Sequence, residues 1–246
     1  MYTDGGISAV PLSQADSRRL VLFDIDGTLL TSSGAAPRAF RQALEEVFGT
    51  SGPQHGYSFA GRTDPRIARD LLGMAGLDPG TVDRGLAALW PLYLRNLQSE
   101  LAVVPPTVYP GVTALLDRLE GETDQVVMGL LTGNVDGGAR LKLEAAGLGW
   151  ERFVVGAFGS DHHDRGALPA VAVERAAALR GHRFQGKAVV IIGDTPADIA
   201  CGAHLGVRSL AVATGDYSVQ ELSPHNPDYV FENLADLDAV MKAVLE

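Results

Sequence analysis

The sequence predicts an α/β protein with a doubly wound parallel sheet, and two observations lead to this fold class. Three apolar runs, at residues 20–23, 126–131 and 188–192, have the composition of buried parallel strands. Each run ends in a small polar cluster. Open parallel sheets bind ligands at the carboxyl ends of their strands, so we expect the three clusters to meet at one edge.

The first apolar run is followed by Asp24 and Asp26, with Gly27 and Thr28 directly after them. Two neighbouring negative charges stabilise no fold, but one carboxylate can act as a nucleophile and the other as an acid and base, with a cation to reduce their repulsion. An ordinary strand-to-helix turn, with an aspartate cap and a glycine at the bend, explains this segment equally well when it is taken alone.

The two later runs repeat the arrangement and favour the chemical interpretation. The run at residues 126–131 ends in Thr132, Gly133 and Asn134, and the run at 188–192 leads to Asp194, with Asp198 four residues later. Independent turns would rarely produce three such clusters, so a shared site is expected.

The end of the chain supplies the remaining layers of this fold. Residues 209–213 and 229–231 are predicted strands, and an apolar helical pattern from residue 234 to 245 predicts a closing helix over the sheet.

Residues 34–109 have a different pattern of apolar residues and are predicted to form an all-helical insertion without strands. Apolar residues follow helical spacing, and Asp64-Pro65 is predicted to cap and begin one of the helices. Pro91 lies inside the last helical pattern, where a break or kink is expected. The insertion divides the chain into a tail (1–17), an α/β core (18–33 and 110–246) and the helical segment (34–109), with connections at residues 33–34 and 110–111.

The order of the motifs DIDGT, LLTGN and IIGDTPAD resembles the haloacid dehalogenase-like superfamily of phosphatases, phosphomutases and dehalogenases, and within it the phosphoglycolate phosphatase-like members. The resemblance extends from Leu20 to the C-terminus. It implies a Rossmann-like core and identifies residues 34–109 with the family's helical cap, which closes over the site and selects the leaving group.

The resemblance also implies roles for the clustered residues. Asp24 corresponds to the nucleophile, Asp26 to the general acid and base, and Thr132 to the residue that binds the transferred phosphoryl group, with Gly133 and Asn134 beside it. The implied Mg²⁺ site consists of the following groups: the carboxylate of Asp24, the backbone carbonyl of Asp26, Asp194, and waters held by Asp198. Such oxygen ligands suit magnesium.

The family also has a fixed cation between its second and fourth motifs, and two residues compete for this place. Arg165 has about the right position, and Lys142, one helix after Thr132, is the alternative. An arginine offers a planar fork where a lysine gives a point charge. The residue that does not enter the site is expected to be a solvated surface charge.

One loop of the helical segment is a candidate for substrate contact. Gly61 lets the backbone approach a ligand, Arg62 is a donor suited to phosphate or carboxylate, and Thr63 follows them. A surface loop whose arginine pairs with Asp64 is the alternative.

These features predict a magnesium-dependent phosphatase of small phosphorylated metabolites, with phosphoglycolate as the substrate that the family suggests. Asp26 argues against a dehalogenase, and the absence of lysine from residues 34–109 argues against the family's phosphonate hydrolases. A sugar-phosphate phosphomutase remains the alternative. A non-catalytic binding protein is a third hypothesis, although all the clustered acidic residues are present.

Composition restricts the partners. The 246 residues carry a formal charge of −10 without a basic run, so neither nucleic acid nor a membrane is an expected partner. The acidic charge does not exclude the small phosphate ester that the resemblance implies as the partner. The single cysteine, Cys201, excludes an intramolecular disulfide and is expected to pack in the core. Residues 1–17 lack the features of a signal peptide, so a cytoplasmic location is expected. No sequence feature indicates an oligomeric state.

Overall fold

The computed structural model describes residues 18–246, so the expected tail at residues 1–17 lies outside the described residues. The described strands, in chain order, are β1 (Arg19–Phe23), β2 (Leu30–Thr31), β3 (Thr107–Val108), β4 (Val126–Leu131), β5 (Val155–Ala157), β6 (Val189–Gly193), β7 (Arg208–Val212) and β8 (Tyr229–Phe231). The described α-helices are α1 (Ala35–Phe48), α2 (Asp64–Met74), α3 (Pro79–Val103), α4 (Val112–Glu120), α5 (Asp136–Ala145), α6 (Leu168–Arg180), α7 (Pro196–Cys201), α8 (Val219–Leu222) and α9 (Leu237–Leu245).

Six of these strands form one parallel sheet in the order β5-β4-β1-β6-β7-β8. Apolar clusters cover both faces of the sheet, because successive side chains of each strand point to opposite faces. Cys201 lies in one of these clusters, as expected. The prediction of a doubly wound α/β sheet is confirmed. Of the six strands of this sheet, the sequence pattern missed one, β5, which is three residues long and contains a glycine.

The register of the sheet explains why the polar clusters meet. β1 lies between β4 and β6, and Phe23 at its end pairs with Leu130 on one side and with Ile192 on the other. The residues that follow these three strands therefore leave the sheet at the same edge. The predicted meeting of the three motifs is confirmed.

The helical segment has an apolar core of its own. α1, α2 and α3 pack around a cluster that includes Phe40, Leu44, Leu71, Leu89 and Tyr93. This core is separate from the two clusters on the faces of the sheet. The segment therefore forms a second layer over the carboxyl edge of the sheet.

Of the break or kink expected at Pro91, the break is wrong, because α3 runs without interruption from Pro79 to Val103. Pro91 lies on the exposed side, whereas Leu89, Tyr93 and Leu97 are buried along the other side of the same helix. The buried contacts on both sides of the proline hold the helix together although one backbone hydrogen bond is lost.

The expectation of no strand in residues 34–109 also needs correction. β3 pairs in antiparallel fashion with β2, and the two short strands connect the helical segment to the core. Two residues are too few for an alternating apolar pattern, so no sequence signal for this strand exists. None of the helices within residues 18–246 combines the length and the apolar character that a membrane span requires.

Candidate active site

A cavity of about 370 Å³ lies between the carboxyl edge of the sheet and the helical segment. Its core wall is formed by Asp24, Asp26, Thr132, Lys142, Arg165 and Asp194. The opposite wall, here called the cap wall, comes from the helical segment. It includes the apolar Ala36, Pro37, Phe40, Phe59 and Ile67 and the polar Arg62, Asp64 and Tyr93. All three sequence motifs thus contribute to one concave site.

Asp24 follows β1 and is 6% exposed. Burial raises the pKa of its carboxyl to about 6, whereas Arg165 opposes this shift and Asp198 adds to it. The Nη2 atom of Arg165 lies 3.2 Å from the carboxylate. A buried carboxylate beside a fixed cation keeps its charge without being surrounded by water, which is what a nucleophile requires.

Asp26 lies two residues further along, and its carboxylate faces the cavity with two donors behind it. Lys142 Nζ is 2.6 Å and Asn134 Nδ2 is 2.8 Å from the same oxygen, Oδ2. The Asp26 side chain is 41% exposed, in contrast to that of the buried Asp24. A partly exposed carboxyl next to the cavity can exchange protons with a ligand or with water.

The loop after β4 connects these groups. Asn134 Nδ2 also donates to Thr132 Oγ1 at 2.8 Å, and Lys142 Nζ donates to Asn134 Oδ1 at 2.6 Å. Thr132, Asn134 and Lys142 are all buried, and together they fix the orientation of Asp26.

The loop after β6 supplies two more carboxylates. Oxygen atoms of Asp24, Asp194 and Asp198 all lie within 4.8 Å of one another. Burial, Asp198 and Asp24, in this order, raise the pKa of Asp194 to about 9, and the Thr28 hydroxyl donates to it at 3.1 Å. This crowding of carboxylates is the environment in which a bound cation relieves repulsion.

The donor set and the space around it fit a divalent cation. The ligands are carboxylate oxygens, which Mg²⁺ and similar hard cations prefer. A Cβ atom at Gly27 or Gly215 would lie 2.2 or 1.8 Å from Asp194 Oδ2, so only glycine leaves room for this carboxylate. Asp198 is engaged by Arg165, and its Oδ2 accepts from Thr195 N at 3.0 Å and Thr195 Oγ1 at 2.6 Å. Asp24 and Asp194 are therefore the carboxylates available for direct ligation.

Arg165 and Lys142 both lie in the site, and the expectation that one of them would be a surface charge is wrong. Arg165 is 7% exposed and Lys142 is 2% exposed. Arg165 contacts Asp24 and Asp198, whereas Lys142 contacts Asp26. Lys142 follows the buried side of α5, together with Ala139 and Leu143, and this helical spacing is a signal that could have identified it.

The loop from the helical segment reaches the core, as expected for a substrate-contacting loop. Thr63 Oγ1 donates to the carbonyl of His163 at 2.6 Å, and Asp64 N donates to the carbonyl of Gly133 at 2.7 Å. Gly61 has φ +70°, and a Cβ atom there would lie 2.6 Å from that of Ala197. The loop therefore packs against both core loops.

Arg62 lines the cavity but is not unpaired. Its Nη1 atom lies 2.9 Å from Asp70 Oδ2, and its guanidinium lies 5.1 Å from the centre of the Tyr57 ring. The alternative in which Arg62 pairs with Asp64 is wrong, because Arg62 pairs with Asp70, and Asp64 accepts a hydrogen bond from Val135 N at 2.8 Å. Thr63, not Asp64, is the N-cap of α2.

Sequence reasoning missed two groups of the site, Asp64 and Tyr93. Burial raises the pKa of the Asp64 carboxyl to about 6, although Lys142 and the Val135 N–H oppose this shift. Asp64 was assigned only to a helix cap, and Tyr93 only to an apolar helix face. Nothing in the local sequence shows that both face the cavity.

Fold and site together define a class of protein: a doubly wound α/β enzyme whose acidic, metal-competent site lies under a helical segment. The chain belongs to the haloacid dehalogenase-like hydrolase family, whose model matches residues 21–203. The expected family is confirmed.

Individual proteins show the same relationship over nearly the whole chain. The protein named "Probable phosphatase IndB" from Dickeya dadantii is 26% identical over 92% of this chain and 95% of its own. A phosphoglycolate phosphatase from Synechococcus elongatus is 26% identical over 88% and 94%. A solved structure of a hydrolase from Pseudomonas syringae superimposes with a TM-score of 0.63 at 19% identity, over 92% of this chain and 99% of that one. The likeness to phosphoglycolate phosphatases expected from the motifs is therefore confirmed.

Proposed function

We propose that the protein is a magnesium-dependent phosphatase that hydrolyses small phosphate esters through an aspartyl-phosphate on Asp24. One observation carries this proposal: a second carboxylate, Asp26, faces the same cavity as Asp24 and is held by Lys142 and Asn134. A halide leaving group needs no proton, whereas the alcohol of a phosphate ester does. The paired carboxylates therefore favour phosphoryl transfer.

In the first step, an Asp24 oxygen attacks phosphorus, the bond between phosphorus and the ester oxygen breaks, and protonated Asp26 gives its proton to the leaving alcohol. In the second step, Asp26 takes a proton from water, the hydroxide attacks phosphorus, and phosphate and free Asp24 are released. A bound Mg²⁺ would neutralise phosphoryl charge, held by Asp24, Asp194 and the Asp26 carbonyl, with Asp198 orienting its waters.

The remaining groups of the core wall would bind the phosphoryl oxygens. Thr132 and Gly133 follow β4 directly and line the cavity with Asp24, so the Thr132 hydroxyl and the Gly133 N–H are the groups that would bind the phosphoryl oxygens. Arg165 and Lys142 supply two positive charges, one beside each catalytic carboxylate. Residues 34–109 would act as the cap, with the loop of Gly61, Arg62 and Thr63 in contact with the substrate region.

Phosphate release from a panel of small esters, with and without Mg²⁺, tests this function. The names of the relatives make phosphoglycolate the reference ester of the panel. We expect magnesium-dependent release, and we expect Asp24→Asn to lower kcat by at least about a thousandfold in a protein that still folds, as circular dichroism would show. Product sugars should be analysed in parallel, because isomerisation without phosphate release would replace the phosphatase with a phosphomutase. Binding of Mg²⁺ with no turnover of any ester would contradict an enzymatic function.

A further inference from the structure

We propose that the alcohol released by this enzyme is uncharged and presents an apolar or ring-shaped face, and that it is not a carboxylate such as glycolate. This inference rests on the proposed phosphatase function and names its substrate class. It follows from three observations: the apolar side chains of the cap wall, the Tyr93 hydroxyl, and the carboxylate partners of the cations that line the cavity.

Most of the cap wall is apolar, and its polar side chains are Arg62, Asp64 and Tyr93. Phe40 and Ile67 are buried in the core of the helical segment and expose only 4% and 5% of their surface, at the cavity. Phe59 is half-buried in the loop that reaches the core. A carboxylate placed against these side chains would lose its hydration without gaining a partner, whereas an apolar face would gain the full benefit of burial.

Tyr93 adds a neutral polar group to this apolar wall. It lines the cavity from α3 and is 1% exposed, and its ring packs edge-on against Phe40 at 5.1 Å between centroids. Its hydroxyl makes no hydrogen bond to any residue in the part of the chain that the structure describes. Burial, Asp64 and Asp26 hold its pKa well above the usual range, so it stays neutral. The hydroxyl oxygen is not among the fully enclosed polar atoms without a partner in the described residues, so it is open to the cavity, where a hydroxyl or carbonyl of the substrate would bind it.

Each cation that lines the cavity within residues 18–246 already has a carboxylate partner. Arg62 is paired with Asp70, Lys142 with Asp26, and Arg165 with Asp24 and Asp198. Lys142 and Arg165 belong to the core wall, where the phosphoryl group needs them.

The same cavity also carries two further acidic side chains, Asp64 and Asp216. A leaving group with its own carboxylate would therefore meet repulsion instead of a counter-ion. The volume of about 370 Å³ lies in the range of sites that enclose ligands considerably larger than a two-carbon acid.

A matched pair of esters tests the inference. Benzyl phosphate and phosphoglycolate both release a primary alcohol and differ only in a phenyl ring or a carboxylate next to the CH₂ group. We expect kcat/KM for benzyl phosphate to exceed that for phosphoglycolate by at least about tenfold. Equal values, or a preference for phosphoglycolate, would overturn the inference and leave the phosphatase intact. Absence of phosphate release from every ester would overturn both.

Two substitutions locate the preference in the cap wall. Phe59→Ala should lower kcat/KM for benzyl phosphate about tenfold more than for phosphoglycolate, because only the ring loses its contact. Asp70→Asn frees Arg62 and should raise the ratio of phosphoglycolate to benzyl phosphate turnover about tenfold. Equal losses on both esters in Phe59→Ala would contradict the assigned wall.

The matched control for the second variant is Asp83→Asn. It removes the same kind of carboxylate from the same segment, but Asp83 pairs with Arg69 on the outer side and does not line the cavity. The ratio should not change in this variant. A ratio that rises equally in both variants would show that the general charge of the segment decides it, and would overturn the role given to Arg62.

Discussion

The two walls of the cavity differ in the charged groups that they contain and in how those groups are paired. On the core wall, the cations Lys142 and Arg165 are buried, Lys142 against Asp26 and Arg165 against Asp24. On the helical side, ion pairs such as Arg69–Asp83 lie at the surface, and the wall is mostly apolar. Surface pairs contribute about 0–1 kcal/mol each, whereas a buried charge without its partner is strongly destabilising.

This difference shows which wall can vary without loss of the reaction. A core-wall charge cannot be replaced singly, because its partner would remain buried and unpaired. A cap-wall side chain contributes mainly shape and apolar area, so one aliphatic or aromatic group can replace another at modest cost. Under the proposed function, we therefore expect the core wall to define the reaction and the cap wall to define which alcohol can leave.

Among the substitutions that test this difference between the walls, Lys142→Met is expected to have the largest effect. Methionine keeps most of the buried volume but removes the charge that contacts Asp26 and Asn134. Loss of one preorganised charged donor in such a site lowers kcat by about a hundredfold or more. Steady-state kinetics on the best ester of the panel measures this loss, and thermal unfolding of the same sample shows whether the variant is folded.

Lys187→Met is the matched control for this variant. Lys187 also forms an ion pair, with Asp228 at 2.6 Å, but it is 54% exposed and far from the cavity lining. Its kcat should equal that of the unchanged protein. If Lys142→Met also kept full activity, Lys142 would be a packing residue and would have no part in the reaction.

A smaller effect is expected where the two walls touch. A Cβ atom at Gly133 would lie 2.0 Å from the carbonyl oxygen of Arg62, so Gly133→Ala must push the loop of the helical segment away from the core. The hydrogen bond from Asp64 N to the Gly133 carbonyl would be lost with it. We expect kcat/KM to fall about tenfold, because the cavity opens to water and the substrate is held less well.

Gly73→Ala controls for the general effect of adding a methyl group. Gly73 lies in α2, and a Cβ atom there would meet nothing within 4 Å. Alanine is the better helix former, so stability should rise slightly with no change in kcat/KM. Equal kinetics in Gly133→Ala would show that contact between loop and core is not needed for turnover.

The same comparison explains how much could be predicted from the sequence. Three apolar runs followed by Asp24, Thr132 and Asp194 were sufficient for the sheet and for the core edge of the site, because neighbouring parallel strands must end together. The cap wall was not predictable in this way. Tyr93 lies on an ordinary apolar helix face, and only the packing of α3 over the sheet turns its hydroxyl toward the cavity.

The choice between Arg165 and Lys142 shows the same limit. Sequence position treated them as rivals, but each contacts a different carboxylate, Arg165 that of Asp24 and Lys142 that of Asp26. Distance along the chain carries no information about which carboxylate each cation meets. That depends on the angle at which α5 and the turn before α6 approach the sheet.

The smallest expected effect concerns Asp64, a residue of the helical segment whose acidic group behaves like those of the core wall. Its pKa is raised from a usual value of 3.8 to about 6, first by burial and then by Asp26, against Lys142 and the Val135 N–H. A raised pKa in the folded state means that the protonated form is favoured by folding. The contribution of Asp64 to stability is therefore complete below about pH 4 and is lost as the pH rises through 6.

Asp64→Asn should accordingly stabilise the protein at pH 8 and change little at pH 4.5. The full shift corresponds to about 3 kcal/mol, and because Asp64 keeps part of its exposure we expect about 1 kcal/mol. Urea unfolding at both pH values measures the difference, with the exposed Asp83→Asn as the control that should not depend on pH in this range. If Asp64→Asn lost stability equally at both pH values, the carboxylate would act as a favourable charge toward Lys142, and the helical segment would be held to the core by an ion pair of the same kind as those of the core wall.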